Sequence, residues 1–332
     1  MKHIRKIICT LIIALLMLGI LITFGMTNNF HGIGKKDTLV KVEITAGMTG
    51  SDIFAMLKKS GVISNQLFFK LATKLSGSGN SFMVGVYELS PKMSYEEIIE
   101  KLSSYSTAGL VKITVPEGYR LIDIAQLLEE NDLCTKEEFF EEVANGSFSY
   151  NFLKNNTATG KTRLEGFLFP DTYLVDEKET AYQIIDKMLF RFDELYTEEL
   201  DKKAKELGFS TQEIITLASI IEKEGSSQLE TISSVFHNRL KTGMRLESCA
   251  TVNYLFDKPK DVLSIQDTHI QSPYNTYRND GLPPTPICSP GLSAIKAAIY
   301  PENTQYLYFI ADGKGGNLFS VTYEEHLSKK GK

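Results

Sequence analysis

Between Thr211 and Glu224 apolar residues recur at helical spacing, with Ile214, Leu217, Ala218 and Ile221 on one face. Ser210 followed by Glu213 is the signature of a capping box, in which each side chain satisfies a backbone amide left free at the helix start. The pattern predicts a helix with one buried face. Glu222 lies one turn after Ala218 and two turns after Ile214, at the edge of that face. A carboxylate there is costly unless it is paired or used. Partial desolvation would lift its pKa from about 4.3 toward about 6, where a glutamic acid can serve as a general acid. Glu224 borders the other edge of the arc, near Leu217 and Ile220, and helical geometry does not choose between the two. A helix ending in Glu-Lys-Glu is also the ordinary pattern of a solvated end.

The chain begins with a different pattern. Lys2, Arg5 and Lys6 precede an uncharged run from Ile7 to Met26; about 20 residues at about 1.5 Å each cover about 30 Å, the thickness of a bilayer's hydrocarbon core. The run is longer than the apolar region of a cleaved signal peptide and lacks a small-x-small cleavage site. Residues 1–26 are therefore expected to form an uncleaved anchor, with the basic flank cytoplasmic and everything after Met26 outside. Residues 27–38, polar and Gly-containing, read as a tether.

Residues 39–140 contain an internal repeat. Leu39–Ile44, Gly47 and Ser51–Lys59 are followed about seventy residues later by Leu110–Val115, Gly118 and Leu121–Glu130. With Gly47 set on Gly118, Asp52 falls on Asp123, Ile53 on Ile124, Leu57 on Leu128 and Phe68-Phe69 on Phe139-Phe140. Gly85–Leu89, with a capping box at Ser94 and Glu97, is a shorter echo. A small strand–turn–helix unit used more than once is the simplest account, with too few copies for a solenoid.

Residues 141–332 read as a larger, helix-rich domain, and the whole as mixed α+β. After a polar stretch from Val143 to Lys161, the run from Glu165 to Tyr173 reads as a strand that Pro170 breaks into a loop. Glu165 and Asp171 are then solvated loop carboxylates or, in a catalytic reading, second carboxylates. Helices are expected over Thr180–Leu195, Thr197–Leu207, Leu229–Leu240, with Gly243 just past its end, and Leu292–Ile299; strands are expected over Tyr306–Ala311 and Leu318–Val321. Four prolines between Leu282 and Gly291 make a stiff loop. Beside it, Tyr274, Asn275 and Tyr277 offer the stacking faces and amide hydrogen bonds of a sugar groove, although a rigid loop packed on a core reads equally well.

Charge and composition narrow the chemistry. A net charge of −5 and a pI near 5.7 give no global basic field, so nucleic acid is not an expected partner. The four cysteines, Cys9, Cys134, Cys249 and Cys288, lack metal-like spacing and His is scarce, so neither a metal centre nor a cofactor is expected.

Taken in order, five segments resemble the endolytic murein transglycosylases of the MltG or YceG-like family: Glu165-Gly-Phe-Leu-Phe-Pro-Asp-Thr-Tyr173, Leu217-Ala-Ser-Ile-Ile-Glu-Lys-Glu224, Val235-Phe-His-Asn-Arg-Leu240, Ser272-Pro-Tyr-Asn-Thr-Tyr277 and Gly281-Leu-Pro-Pro284. The resemblance covers the anchor, a LysM-like region and residues from about 165 to 326. It implies that Glu222 is the catalytic glutamate, with Asn238, Ser248, Thr251, Tyr274, Asn275 and Tyr277 as substrate contacts and Glu165 and Glu224 as accessory carboxylates. It also implies peptidoglycan glycan strands as substrate, glycan contact by the LysM-like region, a place in the cytoplasmic membrane and synthases of the elongation machinery as neighbours. The chain departs from the family at Glu247-Ser-Cys-Ala-Thr-Val252, where Gln-Ser-Asp-Pro-Thr-Val is common, and at His237, where Tyr is common. Cys249 and Cys288 fall in motif loops on the oxidising side and are candidates for pairing. Such enzymes cut the β-1,4 bond between N-acetylmuramic acid and N-acetylglucosamine without water, so one acid suffices. Two competing readings are a two-carboxylate hydrolase, with Glu165, Asp171 or Glu224 as the second group, and a glycan-binding scaffold without catalysis. A pyridoxal-phosphate lyase would need a Gly-rich phosphate cradle, which the sequence lacks.

Overall fold

The computed structural model describes residues 38–45, 48–76, 82–104, 110–225 and 227–330. The expected anchor over Ile7–Met26, its tether as far as residue 37 and Gly47 lie outside them. Among the described residues no helix is long and apolar enough to cross a membrane. The fold is mixed α+β and helix-rich, with three two-stranded sheets among those residues, and it divides into two compact units at Leu110/Val111.

In the first unit, β1 (Val40–Ile44), α1 (Gly50–Lys59), α2 (Gln66–Leu75), β2 (Gly85–Leu89) and α3 (Tyr95–Ser103) follow one another. The two strands pair antiparallel, Val40 opposite Leu89 and Ile44 opposite Gly85. Alternation turns Val42, Ile44, Tyr87 and Leu89 inward, against Ile53 and Leu57 of α1, Phe69 of α2 and Ile98 and Leu102 of α3. Capping boxes at Thr49/Asp52 and Ser94/Glu97 start α1 and α3.

The second unit opens with the same order: β3 (Leu110–Thr114), α4 (Leu121–Glu130), α5 (Lys136–Asn145), β4 (Thr172–Asp176) and α6 (Ala181–Leu195). Strand β3 is hydrogen-bonded to β4 in a two-stranded sheet, the place β2 takes beside β1. The Tyr87 hydroxyl donates to the carbonyl of Met83, and that of Tyr173 to the carbonyl of Phe169, each four residues back. The repeat is therefore a strand–helix–helix–strand–helix unit, longer than its sequence signal. Gly85–Leu89 and Ser94 are not a third echo. They are the closing strand and last cap of the first copy, and their counterparts are β4 and the Thr180/Gln183 capping box of α6. The buried ring is Phe69 in the first copy and Phe139 in the second, although Leu57 and Leu128 are equivalent, so the link between the paired helices is one residue shorter in the second copy. Taken together on the sequence, the two copies fall in different units. The second shares one core with the following helices, joining Ile124, Leu128 and Phe139 to Leu189, Phe192, Ile214 and Leu217.

The strand expected before Pro170 forms after it. Residues 163–167 are turns, and β4 begins only at Thr172. After α6 come α7 (Glu198–Glu206), α8 (Thr211–Glu224), α9 (Leu229–Thr242), α10 (Cys249–Asn253), α11 (Leu292–Ile299), β5 (Tyr308–Ala311), β6 (Asn317–Ser320) and α12 (Tyr323–Lys329). Gly243 ends α9 in the left-handed region, at φ 71°. Helix α8 was expected to bury one face, yet every residue from Ile214 to Ile221 is buried. Thr216 and Ser219 are tolerated inside because their hydroxyls donate to the carbonyls of Gln212 and Thr216, at 2.8 and 2.7 Å. The small residues Ala294, Ala297 and Ala298 let α11 lie close against α8.

Candidate functional site

Helix α8 positions the site, and the proline-rich segment 282–291 runs along its length. Gln212 Nε2 donates to the Pro284 carbonyl at 2.8 Å, and the Ile287 amide donates to Ser219 Oγ at 3.0 Å. Cys288 Sγ meets the Ser219 carbonyl at 3.4 Å, and the Gly291 amide donates to Glu222 Oε2 at 3.0 Å. The loop is thus the rigid, core-packed kind: residues 285–291 are all buried. A third element closes on the same point. In the turn Pro116–Tyr119, the Gly118 amide donates to the Ser289 carbonyl at 2.8 Å and the Ser289 amide returns a bond to the Tyr119 carbonyl at 2.7 Å. Gly118 has φ +81°, and a Cβ there would lie 3.9 Å from Glu222 Cγ and 3.5 Å from Lys223 Nζ.

Glu222 is half-buried in the last turn of α8, with the Gly291 amide as its hydrogen-bond donor. Burial pushes its pKa up and the Gly291 bond pulls it back; the Glu117 carboxylate raises it further and Lys223 lowers it. The net upward shift is what a proton donor needs. Glu224 points to a different neighbourhood. Its carboxylate accepts the Ser248 hydroxyl at 2.6 Å; burial raises its pKa, while Ser248 and then Arg239 oppose the rise.

Glu165, expected in a solvated loop, is 3% exposed. Its Oε1 accepts the Leu121 amide at the start of α4 at 3.0 Å, and its Oε2 accepts the Tyr254 hydroxyl at 2.9 Å. It is a buried strut joining α4 to Tyr254 at the end of α10, each of its oxygens already accepting one hydrogen bond. Asp171 is at the surface in an ion pair with Arg191 at 2.7 Å. Burial pushes Glu165 up to about 7. Between its unfolded value near 4.5 and about 7, the folded chain holds a proton that the unfolded chain has released, so stability falls as pH rises through that window. Glu165→Gln cannot ionise. Its stability relative to wild type should therefore rise by about 3 kcal/mol between pH 4 and pH 8. Denaturant midpoints of the two chains at both pH values test this, and parallel pH dependences would refute it.

The structure uses most of the expected sugar contacts to hold itself together. Asn275 is 0% exposed; its Nδ2 donates to the carbonyls of Thr268 and Ile270, and its Oδ1 accepts the Tyr277 amide. Thr251, also 0% exposed, spends its hydroxyl on the Ser248 carbonyl and on Thr276 Oγ1. Asn238 Nδ2 holds the carbonyls of Thr304 and Tyr306, each at 3.0 Å. Ser248 is the hydroxyl on Glu224. Asn275, Thr251 and Ser248 are staples, because their side-chain polar atoms are already bonded inside the protein, and Asn238 is tied in through its Nδ2. Tyr274 and Tyr277 are half-buried, with hydroxyls on Thr285 Oγ1 at 2.8 Å and Cys249 Sγ at 3.0 Å. Cys249 and Cys288 are not paired: the first is exposed on Tyr277 and the second buried on Ser219.

Glu117 is the residue the sequence reading passed over. A Cβ on Gly291 would fall 1.9 Å from Glu117 Oε1, so this carboxylate rests on the Gly291 backbone beside Glu222. Its signal in the sequence is Pro116-Glu117-Gly118, a turn at the end of β3 that also contains the repeat's glycine. Two cavities flank Lys223. One of about 460 Å³ is lined by Glu117, Tyr119, Gln126 and Leu127, and one of about 280 Å³ by Arg120, Ala250 and Tyr254. A larger cavity of about 760 Å³ lies elsewhere, among Phe152, Tyr196 and Asp201, and includes none of these site groups.

The sequence profile of the YceG-like family matches residues 42–332. An endolytic murein transglycosylase of Bacillus subtilis is 35% identical over 89% of this chain and 85% of its own length. An endolytic murein transglycosylase of Streptococcus pneumoniae is 32% identical over 86% of this chain, which spans 56% of that longer protein. A crystal structure of a putative yceG-like protein from Listeria monocytogenes superimposes with a TM-score of 0.60 at 33% identity, over 87% of this chain and 98% of the other.

Proposed function

Because the chain belongs to the YceG-like family, we propose that it is an endolytic murein transglycosylase with Glu222 as its single acid and base. The observation that carries the assignment of Glu222 is its setting. It is a half-buried carboxyl with a raised pKa, held by one backbone amide where α8, the 282–291 segment and the Pro116–Tyr119 turn meet. Glu222 protonates the glycosidic oxygen as its bond to the muramic C1 breaks. The resulting carboxylate then takes the proton of the C6 hydroxyl as O6 bonds C1, which closes a 1,6-anhydro ring and restores the acid. The nucleophile is part of the substrate, so proximity supplies much of the rate and no second carboxylate is required.

The expected anchor over Ile7–Met26 would hold the chain in the cytoplasmic membrane with the catalytic unit outside, where new glycan and its synthases are found. The first strand–helix unit, read as LysM-like, would contact the strand. Mass spectrometry of purified glycan strands digested by the full chain in detergent tests the reaction. Internal cuts ending in 1,6-anhydromuramic acid are expected. Reducing muramic ends would make water the nucleophile, with Glu117 the nearest base, and strands retained uncut would leave a binding scaffold.

A further inference from the structure

The single-acid mechanism leaves one carboxylate at the site without a task. Glu117 is exposed to solvent on one side, and its Oε1 and Cδ would lie only 1.9 and 2.2 Å from a Cβ on Gly291. The amide of that same glycine donates to Glu222 Oε2. The two carboxylates therefore meet across one residue that has no side chain to separate them. The approach is fixed from both ends, since two backbone hydrogen bonds clamp the Glu117 turn to Ser289 and the Gly118 position faces Glu222 Cγ. The other nearby carboxylates are committed elsewhere: Glu165 to Leu121 and Tyr254, Glu224 to Ser248, and Asp123 to Arg120 at 3.1 Å.

We propose that Glu117 is a positioning residue for the reaction, whose charge, held against Gly291, acts through Glu222 to keep the catalytic proton in place until the glycosidic oxygen takes it. This rests on the transglycosylase reading. The groups facing Glu222 are Glu117 from its turn, Lys223 from α8 itself and the Cys288 thiol from the 282–291 segment. Lys223 favours ionisation of Glu222. Cys288, pushed well up by burial, carries no charge near neutrality. Glu117 is thus the one charge of the three that opposes ionisation, acting beside the larger influence of burial.

The test is the pH dependence of kcat/KM for the full chain in detergent, on purified glycan strands. Glu117→Gln should move the alkaline limb, where Glu222 loses its proton, to lower pH by about half to one unit. Glu117→Asp, which keeps the charge, should bring the limb back toward wild type. Gly291→Ala should shift it in the same direction as Glu117→Gln, because the added methyl occupies the place of the Glu117 carboxylate. A uniform loss of rate with the limb unmoved would give Glu117 a structural or substrate-contacting role and overturn the proposal. The Glu222 carboxyl carbon, followed by ¹³C NMR, reads the same shift without turnover. Absent cleavage by wild type would therefore defeat the transglycosylase reading alone, whereas an unmoved Glu222 midpoint in Glu117→Gln would defeat this inference.

Discussion

Glu222→Gln lowers kcat on glycan strands by at least about 10²- to 10⁴-fold, the range for losing a positioned general acid, and leaves strand binding intact. In the proposed mechanism one residue serves twice, first as acid to the leaving oxygen and then as base to the C6 hydroxyl, so the loss should reach the upper end. Glutamine keeps an oxygen to accept the Gly291 amide, so the junction of α8, the 282–291 segment and the Glu117 turn should survive. The sign of the stability change gives an independent check. Glu222 has a raised pKa in the fold, so ionising it costs stability as pH rises through its folded value. The amide removes that cost, and the variant should unfold no earlier than wild type at pH 8. Steady-state rates, strand retention and thermal unfolding of the two chains measure all three effects. A variant that keeps more than about a tenth of wild-type activity would remove Glu222 from the chemistry.

Much of this site was written locally in the sequence. The Ser210/Glu213 cap and the apolar spacing through Ile221 set α8 to within a residue and put Glu222 at its buried edge. What the pattern could not show was how many sides of α8 would be covered. Burial all round depends on α11 and the proline segment, which arrive about seventy residues later and satisfy Ser219 and Gln212 through long-range hydrogen bonds. The same limit explains Asn275 and Thr251. Their residue types suit a sugar groove, and only the fold reveals that Thr268, Ile270 and Thr276 have already taken their polar atoms. Glu117 went unseen for the opposite reason. An acidic residue in a Pro-Glu-Gly turn is unremarkable until Ser289 pins that turn above Gly291. The repeat was legible in its first strand and helix, where Ile53 and Leu57 match Ile124 and Leu128. It faded where the link between the paired helices changes length and where 26 residues, 146–171, separate α5 from β4 in the second copy.

Gly166→Ala should be the most damaging small substitution in the second unit. Gly166 has φ +85°, a region that costs an L-residue about 1–2 kcal/mol. An added Cβ would also lie 2.4 Å from Pro286 Cβ, 2.6 Å from Pro286 Cγ and 3.2 Å from Ile215 Cγ2. Pro286 is buried and sits in a segment tied to α8 at Pro284, Ile287 and Gly291, so it cannot swing away as a long side chain could. Overpacking of this kind adds about 1–3 kcal/mol, for a total of about 2–5 kcal/mol in a fold whose net stability is typically about 5–15 kcal/mol. Gly160→Ala is the matched control, since it has φ +61° with nothing within 4 Å and should show the backbone cost alone. The difference between the two denaturant midpoints isolates the contact with Pro286, and equal losses would mean that the segment yields freely. The damage should also reach the chemistry. A shift of Pro286 is carried by a stiff chain to Gly291, whose amide orients Glu222, and a displacement of about 1 Å there can lower the rate about 10²-fold. Gly166→Ala should therefore lose activity at temperatures where it is still folded, whereas Gly160→Ala should lose it only on unfolding.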